Sequence, residues 1–252
     1  MSSNIWMRCG GDSEQRPLRL TAWRVVESQH EVSTRKLVQS AAEQALLEEL
    51  VEAVKPPALI GTRLPYLLFT PFRYPPLQHG SRFGPRRERG LWYGAEELRT
   101  AFAEVAYYRL VFLEGSRAKM DLITTALTAF TVRMRSAHGV NLEAPPFDSY
   151  RDAISSRVSY FESQALGSAM RAAGVELFRF RSARDLHGGT NVGAFTSAVF
   201  HAATPQHFQQ WYCAANSGVV EFTRAEFWGT RELHVFERAQ FLVAETLPMP
   251  GI

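Results

Sequence analysis

Strand-like and helix-like segments follow one another along this chain without regular alternation. Apolar alternation and short apolar runs predict strands at 91–93, 175–180, 192–199, 219–222 and 233–243, while helical spacing predicts helices at 100–108 and 150–173. Segment 121–134 is rich in Thr, Leu, Ile and Phe and fits a strand, with a helix as the alternative. Because the pattern lacks strict strand-helix-strand repetition, we predict an α+β fold with mixed or antiparallel sheets.

The chain is long enough and apolar enough to form one substantial core. It has 252 residues, of which 46% are hydrophobic, and no long Ser/Gly or Pro linker divides it. We therefore favour one domain over two, with an N-terminal tail at 1–19 and a domain at 20–252.

A helical extension is predicted at about 33–56, near the start of that domain. Ser33 or Thr34 would cap it and Pro56 would end it. Its apolar residues are Leu37, Ala41, Leu46, Leu47, Leu50 and Val54. Such a helix most often covers a core, and docking of a partner helix or subunit is the alternative.

Several classes of protein are disfavoured by composition. Two cysteines, Cys9 and Cys213, cannot form a disulfide framework or a metal knuckle, which predicts a reducing, cytoplasmic setting. No signal peptide or membrane span is apparent. His201 and His207 are six residues apart, which is not a standard metal-ligand spacing, so we expect no metal site.

Recognition of nucleic acid or of a dinucleotide by a Rossmann fold is also disfavoured. The formal net charge is only +3, and the arginines at 82, 86, 87 and 89 are typical of a solvated loop, with phosphate binding as the alternative. A G-x-G-x-x-G motif after a strand is missing.

Three residues spaced eleven apart stand at the edges of three predicted elements. Arg82 follows a Gly-Ser turn, Tyr93 lies in a short strand and Glu104 lies in a helix. A guanidinium suits phosphate or pyrophosphate, a tyrosine offers a ring face and a hydroxyl, and a carboxylate can hold a ribose and stabilise positive charge at the anomeric carbon. Each residue also has an ordinary structural explanation as a surface cation, a half-buried strand residue or a solvated glutamate.

The surroundings of Glu104 argue against simple solvation. Its neighbours Ala101, Phe102, Ala103, Val105 and Ala106 are small or apolar, which leaves the helix little polar face. A carboxylate there needs a cation, hydrogen-bond donors or a cleft.

A second polar segment follows the strand predicted at 175–180. Arg181, Ser182 and Arg184 stand at the strand end, and Gly188-Gly189 predicts a turn. Ser182 could be a nucleophile, but nothing local supplies a histidine base and a G-x-S-x-G elbow is absent. We interpret Ser182 as a positioning hydroxyl.

Taken together and in order, these segments resemble the RES-domain family, which is named after its arginine, glutamate and serine. The matching blocks span about residues 20 to 225 and comprise 23–26, 67–74 with 80–84, 92–95 with 103–104, 164–167 and 181–185. The family consists of toxins from bacterial toxin-antitoxin pairs that consume NAD, and its fold is similar to that of ADP-ribosyltransferase toxins.

The resemblance implies specific site residues and partners. Arg82, Tyr93, Glu104 and Ser182 match the family's catalytic site, Arg24 matches a pocket arginine, and Arg184 and Asn191 are further substrate-binding candidates. NAD would be the substrate, with inorganic phosphate as a co-substrate in phosphorylases, and no bound cofactor is expected. The partner would be an antitoxin with a helix-turn-helix domain, in a homo-oligomer or a hetero-oligomer.

The resemblance leaves the acceptor open. Phosphate would make the protein an NAD phosphorylase, water a glycohydrolase and a protein side chain an ADP-ribosyltransferase. A non-catalytic module that binds the antitoxin is the remaining alternative.

Overall fold

A mixed eight-stranded sheet with helices packed against it forms the protein. The computed structural model describes residues 4–28, 39–53, 64–74, 78–118, 120–201, 204–225 and 232–249. Its strands are β1 (Arg16–Glu27), β2 (Trp92–Ala95), β3 (Ile123–Asn141), β4 (Leu177–Arg181), β5 (Thr190–Ala194), β6 (Gln206–Ala215), β7 (Val219–Arg224) and β8 (Leu233–Glu237). Its helices are α1 (Ile5–Arg8), α2 (Ala41–Ala53), α3 (Tyr66–Arg73), α4 (Leu98–Gly115), α5 (Arg151–Ile154) and α6 (Phe161–Ala172).

Five of the strands close into a ring. The strand order is β1-β2-β5-β4-β3-β6-β7-β8, and β1 also pairs along the length of β3. All pairings are antiparallel except that of β3 with β4. The first half of β3 pairs with β6 and so carries β6, β7 and β8 as an extension of the ring. The predicted α+β fold is confirmed, and its strands form one mixed sheet.

Helix α4 brings the glutamate to the sheet. It buries Phe102, Ala106 and Leu110 against the extension, where the Phe102 ring stacks on Phe222 with centroids 4.3 Å apart. Burial of such aromatic side chains contributes about 1.5–3 kcal/mol each. Glu104 is thereby held on the side of the helix that faces β1, β2 and β5.

Helix α6 holds the turn that carries Arg82. Gly167 of α6 lies so close to this turn that a Cβ there would stand 2.0 Å from the carbonyl oxygen of Phe83. Gln164 donates from Nε2 to the carbonyl of Ser81 at 3.0 Å. Within the turn, Gly80 has a φ of +73°, a conformation that favours glycine.

The helix predicted at 150–173 is wrong as one continuous element. It forms a 3-10 turn at Phe147–Tyr150, the short α5 and, after a break, α6. In the break, Ser156 Oγ accepts from the backbone of Val158 and Ser159, and Ser159 Oγ accepts from Phe161. Serine side chains compete here with helical hydrogen bonds, and periodicity alone does not detect this.

Other predicted elements are confirmed with changed ends. Segment 121–134 is a strand, the first part of the 19-residue β3. The strand predicted at 192–199 ends at Ala194, because Thr196 caps a 3-10 turn at Ser197–Phe200. The strand predicted at 233–243 ends at Glu237, where another 3-10 turn begins.

The N-terminal part of the chain differs from its prediction. Residues assigned to a tail at 1–19 include α1, the buried side chains of Ile5 and Trp6, and the start of β1. The helix predicted at 33–56 is present as α2, while 33–38 and 54–56 lie outside the described residues. Its expected core-facing residues Leu46 and Leu50 are more than half exposed, so α2 does not cover a core within the described residues.

No helix in the described part of the chain is long and apolar enough to cross a membrane.

Candidate functional site

A cleft of about 250 Å³ opens where β1, β2 and β5 meet α4 and the loop before α6. Five of the seven predicted site residues line it, namely Arg24, Arg82, Tyr93, Glu104 and Asn191. Ser182 stands behind one of them, and Arg184 does not line the cleft.

Glu104 is held by two donors on a single oxygen. Its Oε1 accepts from Ser182 Oγ at 2.7 Å and from Asn191 Nδ2 at 2.6 Å. Within the described residues Oε2 accepts no hydrogen bond, and the side chain faces the cleft. Charge-assisted bonds of this kind fix the carboxylate and leave one oxygen for a ligand.

Asn191 adds an acceptor beside that carboxylate. It is 4% exposed on β5, and its Oδ1 is buried with no hydrogen-bond partner among the described residues. A buried acceptor without a donor is costly, so a ligand hydroxyl would be favoured here. Glu104 Oε2 and Asn191 Oδ1 together suit a ligand with neighbouring hydroxyl groups.

Ser182, predicted to be a positioning hydroxyl, bonds to Glu104 and to the backbone of its own loop. Its Oγ donates to Glu104 and accepts from the backbone N–H groups of Arg184 and Asp185 at 3.1 Å each. The loop after β4 is tied further by Asp185, which accepts from Thr100 Oγ1 of α4 at 2.8 Å. The serine therefore joins this loop to the carboxylate.

Two arginines give the opposite part of the cleft its positive charge. Arg24 Nη1 donates to the carbonyl of Tyr93 at 2.8 Å, and its Nε is buried without an acceptor among the described residues. Burial lowers the pKa of Arg24 to about 10, which leaves it protonated at neutral pH. Arg82 donates to the carbonyl of Ser156 at 2.8 Å, and its guanidinium lies 4.7 Å from the Tyr160 ring centroid.

Tyr93 uses its hydroxyl inside the protein. The hydroxyl donates to Ser81 Oγ at 3.1 Å and accepts from the backbone of Phe83 at 3.0 Å, so it fixes the turn that carries Arg82. Burial raises the pKa of the Tyr93 phenol. Only the ring of this residue remains for a ligand.

Two tyrosines of the cleft were missed by the sequence interpretation. Tyr108 follows Glu104 by one helical turn, so the i,i+4 spacing could have found it. The hydroxyls of Tyr160 and Tyr108 are hydrogen-bonded to each other at 3.1 Å. It precedes α6, and no local signal identified it because the segment was interpreted as helix.

No group of three or more histidine, cysteine or acidic residues able to hold a metal ion occurs among the described residues. The site thus offers two cations, one carboxylate, an amide oxygen and aromatic rings. These groups suit an anionic ligand that also carries hydroxyls.

The fold and site together define an α+β domain in which an arginine and a glutamate line one cleft and a serine bonds to that glutamate from behind. The sequence model of the RES-domain family matches residues 56–215, so the chain belongs to this family. Comparison with curated proteins found no match.

Proposed function

We propose that this protein cleaves NAD at the bond between nicotinamide and ribose. The observation that carries the proposal is the Glu104 carboxylate, fixed through one oxygen and open to the cleft through the other. Family membership supports an enzyme that acts on NAD. The reaction would deplete NAD, in keeping with a toxin role.

In the proposed complex, the charges of NAD match those of the cleft. The pyrophosphate lies against Arg82 and Arg24, and the nicotinamide-side ribose lies against Glu104 and Asn191. Tyr93 contributes its ring, since its hydroxyl is already bonded.

The carboxylate then acts on the charge that develops during bond cleavage. The ribose C1–nitrogen bond breaks, and the electron pair leaves with nicotinamide as a neutral molecule. The positive charge left on the ribose is stabilised by Glu104, which favours the oxocarbenium-like transition state. A phosphate oxygen at C1 then gives ADP-ribose phosphate, and water gives ADP-ribose with release of a proton.

The test is nicotinamide release by partner-free protein, with and without inorganic phosphate. Glu104→Gln keeps the shape but removes the charge, and we expect kcat to fall about 10²–10³-fold with a much smaller change in KM. Glu97→Gln, at the exposed start of the same helix, is the matched control and should keep full activity.

The products decide the acceptor. Release that accelerates with phosphate and yields a phosphorylated ribose identifies a phosphorylase, and release indifferent to phosphate identifies a glycohydrolase. Absence of release under either condition would refute NAD cleavage and leave the non-catalytic binding module.

One observation favours transfer to a protein as a second candidate. A cavity of about 330 Å³ shares Glu104, Val105 and Tyr108 with the cleft and continues along apolar side chains of β1 and α4, including Phe112. Such a groove could seat a protein acceptor beside the reacting carbon. Transfer of label from NAD labelled in its adenylate phosphate onto protein would identify this activity.

The toxin role and the antitoxin with a helix-turn-helix domain are proposed from family membership alone. Expression in a bacterial host should arrest growth and lower NAD, and Glu104→Gln should do neither. Normal growth at an equal level of the soluble wild-type protein would contradict the toxin role.

A further inference from the structure

A set of buried nitrogen donors without acceptors lies next to the loop after β4. Arg184 is 2% exposed, and its Nε, Nη1 and Nη2 all lack a hydrogen-bond partner among the described residues. Arg157 Nε and Gln240 Nε2 are likewise buried without an acceptor. None of these five nitrogen atoms can accept a hydrogen bond from another, because guanidinium and amide N–H groups are donors only.

Arg157 and Arg184 lie close to segment 238–248, to which Gln240 belongs. Arg157 Nη2 donates to the carbonyl of Gln240 at 2.6 Å. Arg184 lies with its guanidinium carbon 3.6 Å from the ring centroid of Tyr107, whose hydroxyl donates to the carbonyl of Pro248 at 2.5 Å. Burial lowers the pKa of Arg157, and the positive charge of Arg184 lowers it further, as expected for two cations close together.

Three carboxylates of the adjoining loop and of α4 have partners of their own. Asp185 accepts from Thr100 and lies 3.7 Å from Arg99 Nε, while Glu104 accepts from Ser182 and Asn191. Glu114 is paired with Arg238 of the covering segment. The contact of Arg184 with the Tyr107 ring stabilises one face of the guanidinium but leaves its N–H groups unbonded.

A buried cation with unbonded donors and a second cation nearby is strongly unfavourable without a counter-charge. The missing group must accept several hydrogen bonds, carry negative charge and match a planar fork. A phosphate group has these properties, and arginine binds it in a bidentate manner. Arg157 and Gln240 are only partly buried, so they form the side of the cluster nearer to solvent.

We infer that Arg184, Arg157 and Gln240 form a second anion site that binds one phosphate group, distinct from the Arg24 and Arg82 side of the cleft. This site does not depend on the proposed reaction. It is linked to the cleft, because the backbone N–H of Arg184 donates to the same Ser182 hydroxyl that holds Glu104. The phosphate group comes either from free inorganic phosphate or from a nucleotide.

The test measures binding by the full chain in the absence of NAD. Inorganic phosphate and AMP are titrated separately at constant ionic strength, and affinity is obtained by calorimetry and from the rise in Tm. We expect Arg157→Gln, at a half-buried position, and Arg184→Met to weaken phosphate-group binding about tenfold or more. Arg224→Gln removes an arginine paired with Glu232 elsewhere on the sheet and is the matched control.

The two probes identify the source of the phosphate group. Binding of inorganic phosphate that depends on Arg157 supports a site for the free ion, and binding of AMP alone that depends on Arg157 supports a site for a nucleotide phosphate. Absence of binding of both probes to the wild-type protein overturns the inference. Affinities that are the same in Arg157→Gln and the wild type also overturn it, even where AMP binds in the cleft.

Discussion

Ser182 shows how much of the site depends on one small side chain. Its hydroxyl satisfies two backbone N–H groups of the loop after β4 and donates to the carboxylate of Glu104. At 5% exposure it has little access to water that could replace these bonds. The same atom therefore contributes both to loop stability and to carboxylate orientation.

Replacement of Ser182 by alanine should lower stability and activity together. We expect the free energy of unfolding to fall by about 1–3 kcal/mol, because two buried N–H groups lose their acceptor. The kcat for NAD cleavage should fall as well, since Glu104 keeps only Asn191 as a donor. Urea unfolding and nicotinamide release measure the two effects.

Ser159→Ala is the matched control. Ser159 is exposed, and among the described residues its Oγ accepts from the backbone of Phe161 alone, at the start of α6. Its loss should therefore change stability by less than about 1 kcal/mol. If Ser182→Ala were as stable and active as Ser159→Ala, the positioning role of Ser182 would be wrong.

The sequence predicted which residues gather at the cleft better than what each one does there. Glu104 was expected to need donors because its helix is apolar, and Ser182 and Asn191 supply them. The hydroxyl of Tyr93 was expected to meet a ligand but instead closes the turn around Arg82. Arg184 was expected in the pocket but lies outside it. It is connected to the site by its backbone N–H, which donates to Ser182, and not by its charged side chain.

Among the elements, those with strong periodicity were predicted best. The centres of β4 and β7 follow from apolar alternation, whereas element ends depend on side-chain caps and on pairing partners distant in sequence. Along strand β1 the side chains are exposed, half-buried or buried without a regular alternation of two residues. From the sequence, this strand was therefore identified only as a segment that resembles the family. Its pairing with β3 is a long-range contact that local patterns do not encode.

The contact between α6 and the Arg82 turn gives a prediction for an element. Gly167→Ala would place a Cβ 2.0 Å from the carbonyl oxygen of Phe83, and backbone there cannot move without displacing the turn. We expect a loss of about 1–3 kcal/mol in the free energy of unfolding, together with weaker NAD binding because Arg82 shifts. Chemical denaturation and a binding titration test both effects.

Gly115→Ala is the control for that substitution. Gly115 ends α4, and a Cβ there meets nothing within 4 Å. Alanine is the better helix former, so this variant should be unchanged or slightly more stable. Equal stability of the two variants would show that α6 can move away from the turn without cost.

At the scale of the whole molecule, β3 is the element that unites the parts. It pairs with β1, β4 and β6, so the ring that carries the cleft and the extension that supports α4 share one strand. By contrast, the described side chains of α2 remain largely exposed, Leu46 and Leu50 among them. The cleft is therefore built on the sheet, and no described residue of α2 lines it.

The reactivity of Cys213 reports whether the extension of β6, β7 and β8 stays paired with β3. It lies on β6, directly opposite Thr125 of β3 and Phe222 of β7, and is 1% exposed. Burial raises the pKa of its thiol from 9.0 to about 11. Only the thiolate reacts with disulfide reagents, so a shift of about two pH units leaves about a hundredfold less reactive species at pH 8.

We expect Cys213 in a Cys9→Ser variant to react with a disulfide reagent at pH 8 at least about a hundredfold more slowly than in the same chain unfolded in urea.

As pH rises above 9, the unfolded chain loses the thiol proton before the folded one, so this group's effect is to lower stability between about pH 9 and 11. Labelling rates at increasing pH and urea concentration, with Cys9→Ser/Cys213→Ser as the blank, measure both effects. Native labelling as fast as that of the unfolded chain would mean that β6 opens readily from β3, and the support of α4, and with it of Glu104, would then have to come from the ring alone.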